Sequence, residues 1–124
     1  MPQRRREHFP EPSEKAIQTA CLGLWRACGV KGSLVAAVPN AGARGQPGLT
    51  KGLFDLIVFS SALGDKTGWL ELKTKTGKLS QAQREFKIVM IARGVPYAVS
   101  YGLDEAIRVL EHWGAVRPQA RAAA

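Results

Sequence analysis

The 124-residue chain is 45% hydrophobic, which predicts a single domain with a sizeable apolar core. No apolar run approaches the roughly 18 to 20 residues that cross a membrane, and no apolar segment follows the basic N-terminus, so we expect neither a membrane span nor a secretory signal. The net charge of +8 favours a polyanionic partner, above all nucleic acid. An anionic membrane surface is the rival partner, but the sequence has no strongly basic amphipathic helix to favour it.

Residues 1–12 are predicted to form a flexible basic arm, and a first helix is predicted from Ser13, a favourable N-cap residue, to Gly29. Glu14 lies on the buried face of this helix, where it is either a stabilising charge at the helix start or an acid of a functional site. The two cysteines are interpreted as reduced core thiols of a cytoplasmic protein rather than as a metal or redox site. The buried face has apolar residues at helical spacing, namely Ile17, Cys21, Leu24 and Cys28.

A first strand is predicted over residues 33–40, and a glycine-rich loop over residues 41–52 follows it. A loop of this length in a small domain is often functional, but it has no GxxxxGK[ST] sequence and is therefore no Walker-type phosphate loop. The segments "LFDLIVF" (53–59) and "WLELK" (69–73) predict two strands that are joined by a turn into an antiparallel hairpin.

The second half of the chain predicts a helix, a strand and a last helix. Ser80 and Gln83 have the spacing of a capping box, which starts the first of these helices. A strand over residues 95–101 and a helix over residues 103–113 complete the order α-β-β-β-α-β-α, and residues 114–124 are expected to form a disordered tail. This order predicts an α/β fold with a mixed central sheet that is flanked by helices.

Two charged residues interrupt the apolar third strand. Glu71 and Lys73 share one face of it, with backbones roughly 7 Å apart, while the two leucines beside them face the core. The hairpin would bring Asp55, at the start of the neighbouring strand, beside Glu71. Two converging carboxylates suit a magnesium ion that also takes waters and a substrate phosphate, and Lys73 could orient or deprotonate an attacking water there.

The simpler interpretation makes these charges a solvated strand face and Asp55 a turn residue. The combination of glycine loop, acid, apolar strand, turn, E-x-K and capped helix is rarer than each part alone. Charges buried on one face without a metal or a partner would be costly. We therefore favour a catalytic site over a solvated face.

The stretch "GLFDLIVF" followed by "GWLELKTKTGKLSQAQREF" resembles the PD-(D/E)XK nuclease superfamily and, more closely, its virus-type replication-repair nuclease family, VRR-NUC. The matching segments are "KGLFD", "ELK" and "GKLSQAQ", with later "GVPY" and "DEA" segments that also fit. The resemblance spans roughly residues 13–111 and implies a restriction-endonuclease-like αβββαβ core, so we expect a nuclease domain over residues 13–113.

The resemblance also implies roles for single residues. Asp55 and Glu71 match the metal-binding acids, which implies magnesium, with manganese as an alternative. Lys73 matches the catalytic lysine, and Gln83 matches a glutamine that supports the site, although a capping role explains it nearly as well. Glu14 matches the first-helix acid of related nucleases and is a further candidate metal ligand and catalytic residue.

Further residues are candidates for contacts with DNA. Asn40 matches an asparagine near the loop, although asparagine also ends strands. The others are basic residues of the central loop and of the turn before the second helix, namely Arg44, Lys51, Lys75 and Lys78. One departure from the family pattern is visible, because Phe54 stands where the family usually has proline, which puts the backbone direction before Asp55 in doubt.

The implied function is that of a magnesium-dependent endodeoxyribonuclease acting on branched, junction or nicked DNA in replication or repair, in the cytoplasm of a bacterium or of a phage-infected cell. The family also implies a homodimer. One rival function is a basic DNA-binding module without catalysis, which leaves the acids unexplained. A second rival is an interaction protein, which predicts no DNA binding that weakens with salt.

Overall fold

A computed structural model of the protein describes residues 11–39 and 50–120. Within these ranges the chain follows the predicted order of helices and strands, with one short 3-10 helix added in the hairpin turn. The elements are α1 (Glu14–Cys28), β1 (Leu34–Ala37), β2 (Leu56–Phe59), the 3-10 helix (Ser61–Leu63), β3 (Gly68–Lys73), α2 (Gln81–Ala92), β4 (Tyr97–Tyr101) and α3 (Leu103–His112). No helix of the described ranges is both long enough and apolar enough to cross a membrane.

The four strands form one mixed sheet in the order β1-β2-β3-β4. Strand β2 runs antiparallel to both β1 and β3, whereas β4 lies parallel to β3 because α2 carries the chain back across the sheet. The predicted hairpin of β2 and β3 is confirmed, with Leu56 opposite Leu70. One step beyond this pair, the same register puts Asp55 level with Glu71.

The helix starts follow from their capping residues. Ser13 caps α1 by accepting a hydrogen bond from the backbone N–H of Ala16 at 3.1 Å. Ser80 and Gln83 form the predicted capping box of α2, in which each side chain accepts the other residue's backbone N–H. The cap fixes the first turn of α2, and this turn lies beside the charged residues of β3.

The core lies between one face of the sheet and the helices α1 and α3. Its fully buried side chains include Ile17, Cys21, Val35, Leu56, Val58, Leu70, Leu72, Ala106 and Leu110. Both cysteines are free thiols, and burial raises the pKa of Cys21 to about 11, which keeps this thiol protonated and unreactive. Of the predicted α1 face, Leu24 and Cys28 are only half-buried.

The opposite face of the sheet is covered by α2, and aromatic rings fill the contact. Trp69 of β3 stacks on Phe86 of α2 with ring centroids 6.0 Å apart. Phe54 is 2% exposed and lies against Trp69 with a centroid distance of 4.0 Å. Phe54 therefore anchors the chain before Asp55 by packing, at the position where the family pattern usually has proline.

The prediction of a disordered tail from residue 114 is wrong at its start. The chain turns back at Gly114, and Ala115 and Val116 are buried in the core. Backbone hydrogen bonds join Val30 to Ala115 and Arg117 to Cys28, so the segment pairs with the end of α1. A single buried pair of small apolar residues has no periodicity, which is why the sequence does not reveal it. Residues 121–124 and residues 1–10 of the predicted arm lie outside the described residues.

Candidate active site

Asp55 is fixed to β3 by two hydrogen bonds. Its backbone N–H donates to the carbonyl of Leu70 at 3.1 Å, which continues the ladder between β2 and β3. Its side-chain Oδ2 accepts the backbone N–H of Leu72 at 2.7 Å. The side chain is 8% exposed, so Asp55 is no solvated turn residue. The acid is held at the end of the hairpin by the backbone that carries Glu71.

Glu71 is 1% exposed, which excludes the interpretation of a solvated strand face. Its Oε1 accepts the side-chain amide of Gln83 at 2.8 Å. The pKa of Glu71 is raised to about 9, and burial is the largest cause. The negative charge of Asp55 and a hydrogen bond between the two carboxyl groups raise it further, while the positive charge of Lys73 lowers it. With both acids ionised, Oε2 of Glu71 is buried without a donor among the described residues.

Lys73 lies on the same face of β3 as Glu71 and meets the start of α1. Its Nζ is 3.5 Å from Oε1 of Glu14. The lysine side chain is 10% exposed and that of Glu14 is 49% exposed, so the pair closes the site at its solvent edge. Glu14, predicted as a site acid, thus reaches the site and lies against the lysine.

Asp55 and Glu71 are the side chains that could hold a cation. The buried Oε2 without a donor and the mutual repulsion of the two carboxylates would both be relieved by a hard divalent ion. No cluster of three or more His, Cys, Asp and Glu side chains suited to a metal occurs in the part of the chain that the structure describes. The donor set therefore fits an ion that binds two carboxylates and completes its shell with waters and substrate oxygens, as magnesium does.

A cavity of about 730 Å³ is lined by Lys73 and by Gln83, the hydrogen-bond partner of Glu71, and could admit a phosphate group of a large substrate. Its walls include Glu14 and Lys73 on one side, the first turn of α2 on another, and Lys51 with Gly52 on a third. Gly52 has φ +84° and lies so close to α2 that an added Cβ would meet the carbonyl oxygen of Ala82 at 2.5 Å. The end of the glycine-rich loop and the start of α2 are thus in direct contact at the mouth of the cavity.

The predicted DNA-contact residues fall in different places. Lys51 lines the cavity. Lys75 is exposed and pairs with Glu11 at 3.6 Å, and Lys78 is exposed in the turn before α2. Asn40 and Arg44 lie outside the described residues.

One further residue, Tyr97, belongs to this face of the sheet and was not singled out from the sequence. Tyr97 lies directly opposite Trp69 in the parallel pairing of β3 and β4. Burial raises the pKa of Tyr97 to about 12, and the charges of Glu71 and Asp55 contribute to the rise. The sequence predicted a strand at this position, but only the register with β3 brings Tyr97 to the face that carries Glu71.

No family model matches the sequence, and no curated protein matches it. The structure is similar to a solved structure described as a "VRR_NUC domain", with a TM-score of 0.58, 20% sequence identity, and coverage of 80% of this chain and 95% of that chain. The chain therefore has the fold of a VRR-NUC domain, and the predicted resemblance is confirmed at the level of the fold. The predicted α/β architecture with a mixed sheet is confirmed as well.

Proposed function

We propose that the protein is a metal-dependent DNA endonuclease that hydrolyses phosphodiester bonds in branched, junction or nicked DNA during replication or repair. The observation that carries this proposal is the buried pair of Asp55 and Glu71, with Lys73 on the same strand face as Glu71 and at the wall of a cavity. The nuclease-type fold supports it, and the resemblance of the sequence implies that Asp55 and Glu71 match the metal-binding acids of the VRR-NUC pattern.

Asp55 and Glu71 would hold the cation, which is magnesium, or manganese as a substitute. A bound divalent ion polarises the scissile phosphate and lowers the pKa of an attacking water. Glu71 must lose its proton to bind a cation, and the raised pKa makes this step dependent on pH. The hydrogen bond from Leu72 and the amide of Gln83 hold the two carboxylates in place while this happens.

Lys73 would orient the attacking water and offset negative charge on the phosphate. Its ammonium is held toward the cavity by Glu14, 3.5 Å away. Glu14 is half-exposed, so it can exchange its contact with Lys73 for water when the phosphate arrives. In this proposal Glu14 positions the lysine and is a further candidate metal ligand beside Asp55 and Glu71.

DNA would be drawn to the site by the net charge of +8. Lys51 lines the cavity, and the exposed side chains of Lys75 and Lys78 stand before α2. We include Asn40 and Arg44 in the proposed DNA-contact set from the sequence. Each lysine that contacts a phosphate adds to the salt dependence of binding, so affinity should fall steeply between 50 and 200 mM salt.

We also propose that the active form is a homodimer in the cytoplasm of a bacterium or a phage-infected cell, an environment that suits two free thiols. The outer side of α2 exposes Ile88, Val89 and Ile91, with exposures of 67%, 50% and 59%. Such a group of aliphatic side chains on one helix suits a second copy of the chain. Light scattering tests whether this surface forms the dimer. The variants Ile88→Glu and Ile91→Glu should convert the dimer to a monomer, whereas the control Lys87→Glu should remain a dimer.

The decisive experiment compares the cutting of supercoiled plasmid and of a synthetic four-way junction in magnesium, in manganese and in chelator. Lys73→Ala should abolish cutting and leave the protein folded and able to bind DNA. Lys66→Ala, in the exposed hairpin turn, removes the same charge away from the cavity and should cut at the wild-type rate. A folded wild-type protein that binds DNA in a salt-dependent way and cuts neither substrate would instead be the non-catalytic binding module.

A further inference from the structure

Three polar side-chain atoms are buried without a hydrogen-bond partner in the described part of the chain: Nε1 of Trp69, Oε2 of Glu71 and the hydroxyl of Tyr97. Most buried polar atoms of native proteins are hydrogen-bonded to protein or to ordered water, and each exception calls for a cause. Here the exceptions occur on one surface, which suggests a single cause for all three.

All three side chains lie on the sheet face that α2 covers. Trp69 and Glu71 are alternate residues of β3 and share a face. Tyr97 is the register partner of Trp69 on the parallel strand β4 and therefore points the same way. From α2, Phe86 packs on Trp69 and Gln83 bonds to Glu71, so this surface is closed from above.

The chemistry of the three atoms is complementary. The indole N–H and the phenol O–H are donors, and a carboxylate oxygen is an acceptor. The hydroxyl of Tyr97 lies close enough to the acids for their charges to raise its pKa, to about 12 together with burial, so it stays a neutral donor. No direct hydrogen bond joins the three atoms, and a water that accepts two hydrogen bonds and donates one has the chemistry complementary to them.

We propose that Tyr97 is a positioning residue that holds Oε2 of Glu71 in its metal-binding orientation. It acts through one buried water, which it shares with the indole of Trp69. This inference rests on the proposed function of Glu71 as a metal ligand. Gln83 holds Oε1 from one side, and the water bridge holds Oε2 from the other. Each oxygen keeps a lone pair for a cation, and neither the water nor Tyr97 touches the substrate.

Outer hydrogen bonds of this kind contribute about 10- to 100-fold to metal affinity. The test is a calorimetric titration of the metal-free protein with Mn²⁺, for the wild type, Tyr97→Phe and Tyr101→Phe. Tyr101 is on the same strand and the same face, opposite Lys73, and its hydroxyl is not among the buried atoms without a partner. We expect Tyr97→Phe to bind Mn²⁺ at least about 10-fold more weakly, and Tyr101→Phe to bind as the wild type does.

A thermal unfolding series separates positioning from packing. Tyr97→Phe keeps the ring, so its Tm without metal should equal that of the wild type or exceed it, and only the rise in Tm on adding Mn²⁺ should shrink. A fall in the metal-free Tm that accounts for the weaker binding would overturn the inference in favour of a packing role.

Two further outcomes are decisive. Equal Mn²⁺ affinity in Tyr97→Phe and wild type overturns the inference and leaves the proposed function standing, whereas a wild type that binds no Mn²⁺ at all overturns both. A high-resolution crystal structure of the Mn²⁺-bound protein, in which Glu71 is ionised, should show one water within hydrogen-bond distance of all three atoms. A different partner for the hydroxyl of Tyr97 in that structure would overturn the shared bridge.

Discussion

Gln83 joins the first turn of α2 to Glu71: its amide nitrogen donates to Oε1 of Glu71 at 2.8 Å, and its amide oxygen accepts the backbone N–H of Ser80 at 2.8 Å. The orientation of the amide is forced, because a backbone N–H can only donate, and the oxygen must therefore face Ser80. The capping and site-supporting roles of Gln83 are thus filled by the two ends of one amide group.

This double role can be separated by two substitutions that each remove one half of the capping box. Gln83→Ala and Ser80→Ala should both destabilise the protein, by about 1 kcal/mol from the lost cap. Only Gln83→Ala also removes the donor to Glu71, so it should lower the cleavage rate by about 10- to 100-fold, while Ser80→Ala stays near wild type. Single-turnover cleavage measured beside urea unfolding tests this, and an equal loss of rate in both variants would contradict the proposed support of Glu71.

The raised pKa of Glu71 predicts a pH dependence of stability in the presence of chelator. The pKa is about 9 in the folded protein and near the ordinary value of 4.5 in the unfolded chain. Between these two values the folded state binds more protons than the unfolded state, so the free energy of unfolding falls as pH rises. The contribution of Glu71 is complete below pH 4.5 and is lost by about pH 9.

Urea unfolding at pH 5, 7 and 9 measures this dependence. Other groups titrate in the same window, so the informative quantity is the difference between the wild type and Glu71→Gln, which cannot titrate. The variant should lose less stability than the wild type over this range. Parallel curves for the two proteins would mean that Glu71 is ionised throughout.

The hairpin part of the site could be predicted from the sequence because it is local. Side chains alternate along a strand, and a short hairpin has few registers, so the segments around Asp55 and Glu71 determine that the two acids meet. The ion pair of Lys73 with Glu14 was only partly predicted. The helix period gave the face of Glu14, but its partner depends on how α1 packs against β3.

Contacts between elements distant in sequence could not be predicted. The register of β4 against β3 brings Tyr97 to the acids, and a parallel pair has no turn that would reveal its register. The burial of Ala115 and Val116 depends on where α3 ends relative to α1. Neither arrangement leaves a periodic pattern in the sequence.

The packing of Phe54, which stands where the resembled family usually has proline, predicts a large effect of its removal on stability. Its ring is buried between Trp69 and Phe86, at centroid distances of 4.0 Å and 6.1 Å. Phe54→Ala should destabilise the protein by about 3 to 5 kcal/mol, as expected for a buried aromatic residue. Phe59→Ala is the matched control, because that ring is 41% exposed, and it should have a much smaller effect. If the two variants lose similar amounts of unfolding free energy in chemical denaturation, the contacts of Phe54 with Trp69 and Phe86 do not stabilise the protein more than an exposed ring does.

The packed segment after α3 predicts a sharp limit to truncation. A chain that ends at Trp113 loses the buried Ala115 and Val116 and should be destabilised by about 2 to 4 kcal/mol. A chain that ends at Ala120 keeps the backbone bonds to Val30 and Cys28 and should unfold at the wild-type denaturant concentration. Equal stability of the two shortened chains would contradict the packing of this segment.

A comparison of Gly52→Ala with Gly32→Ala separates the effect of backbone strain from that of steric overlap. Both have positive φ, +84° and +85°, so alanine at either position is strained by about 1 to 2 kcal/mol. At Gly32 nothing lies within 4 Å of an added Cβ. At Gly52 that atom would meet the backbone oxygen of Ala82 at 2.5 Å and the backbone nitrogen of Gln83 at 3.0 Å. Gly52→Ala should therefore destabilise the protein by about 1 to 3 kcal/mol more than Gly32→Ala.

The same contact predicts an effect on catalysis. To relieve the overlap at Gly52, the first turn of α2 must move, and this turn carries the amide that holds Glu71. Cleavage by Gly52→Ala, measured at a temperature where the variant is fully folded, should therefore be reduced, while Gly32→Ala cuts at the wild-type rate. If Gly52→Ala is unstable but cuts normally when folded, the loop end contributes to the fold alone, and the position of Gln83 does not depend on it.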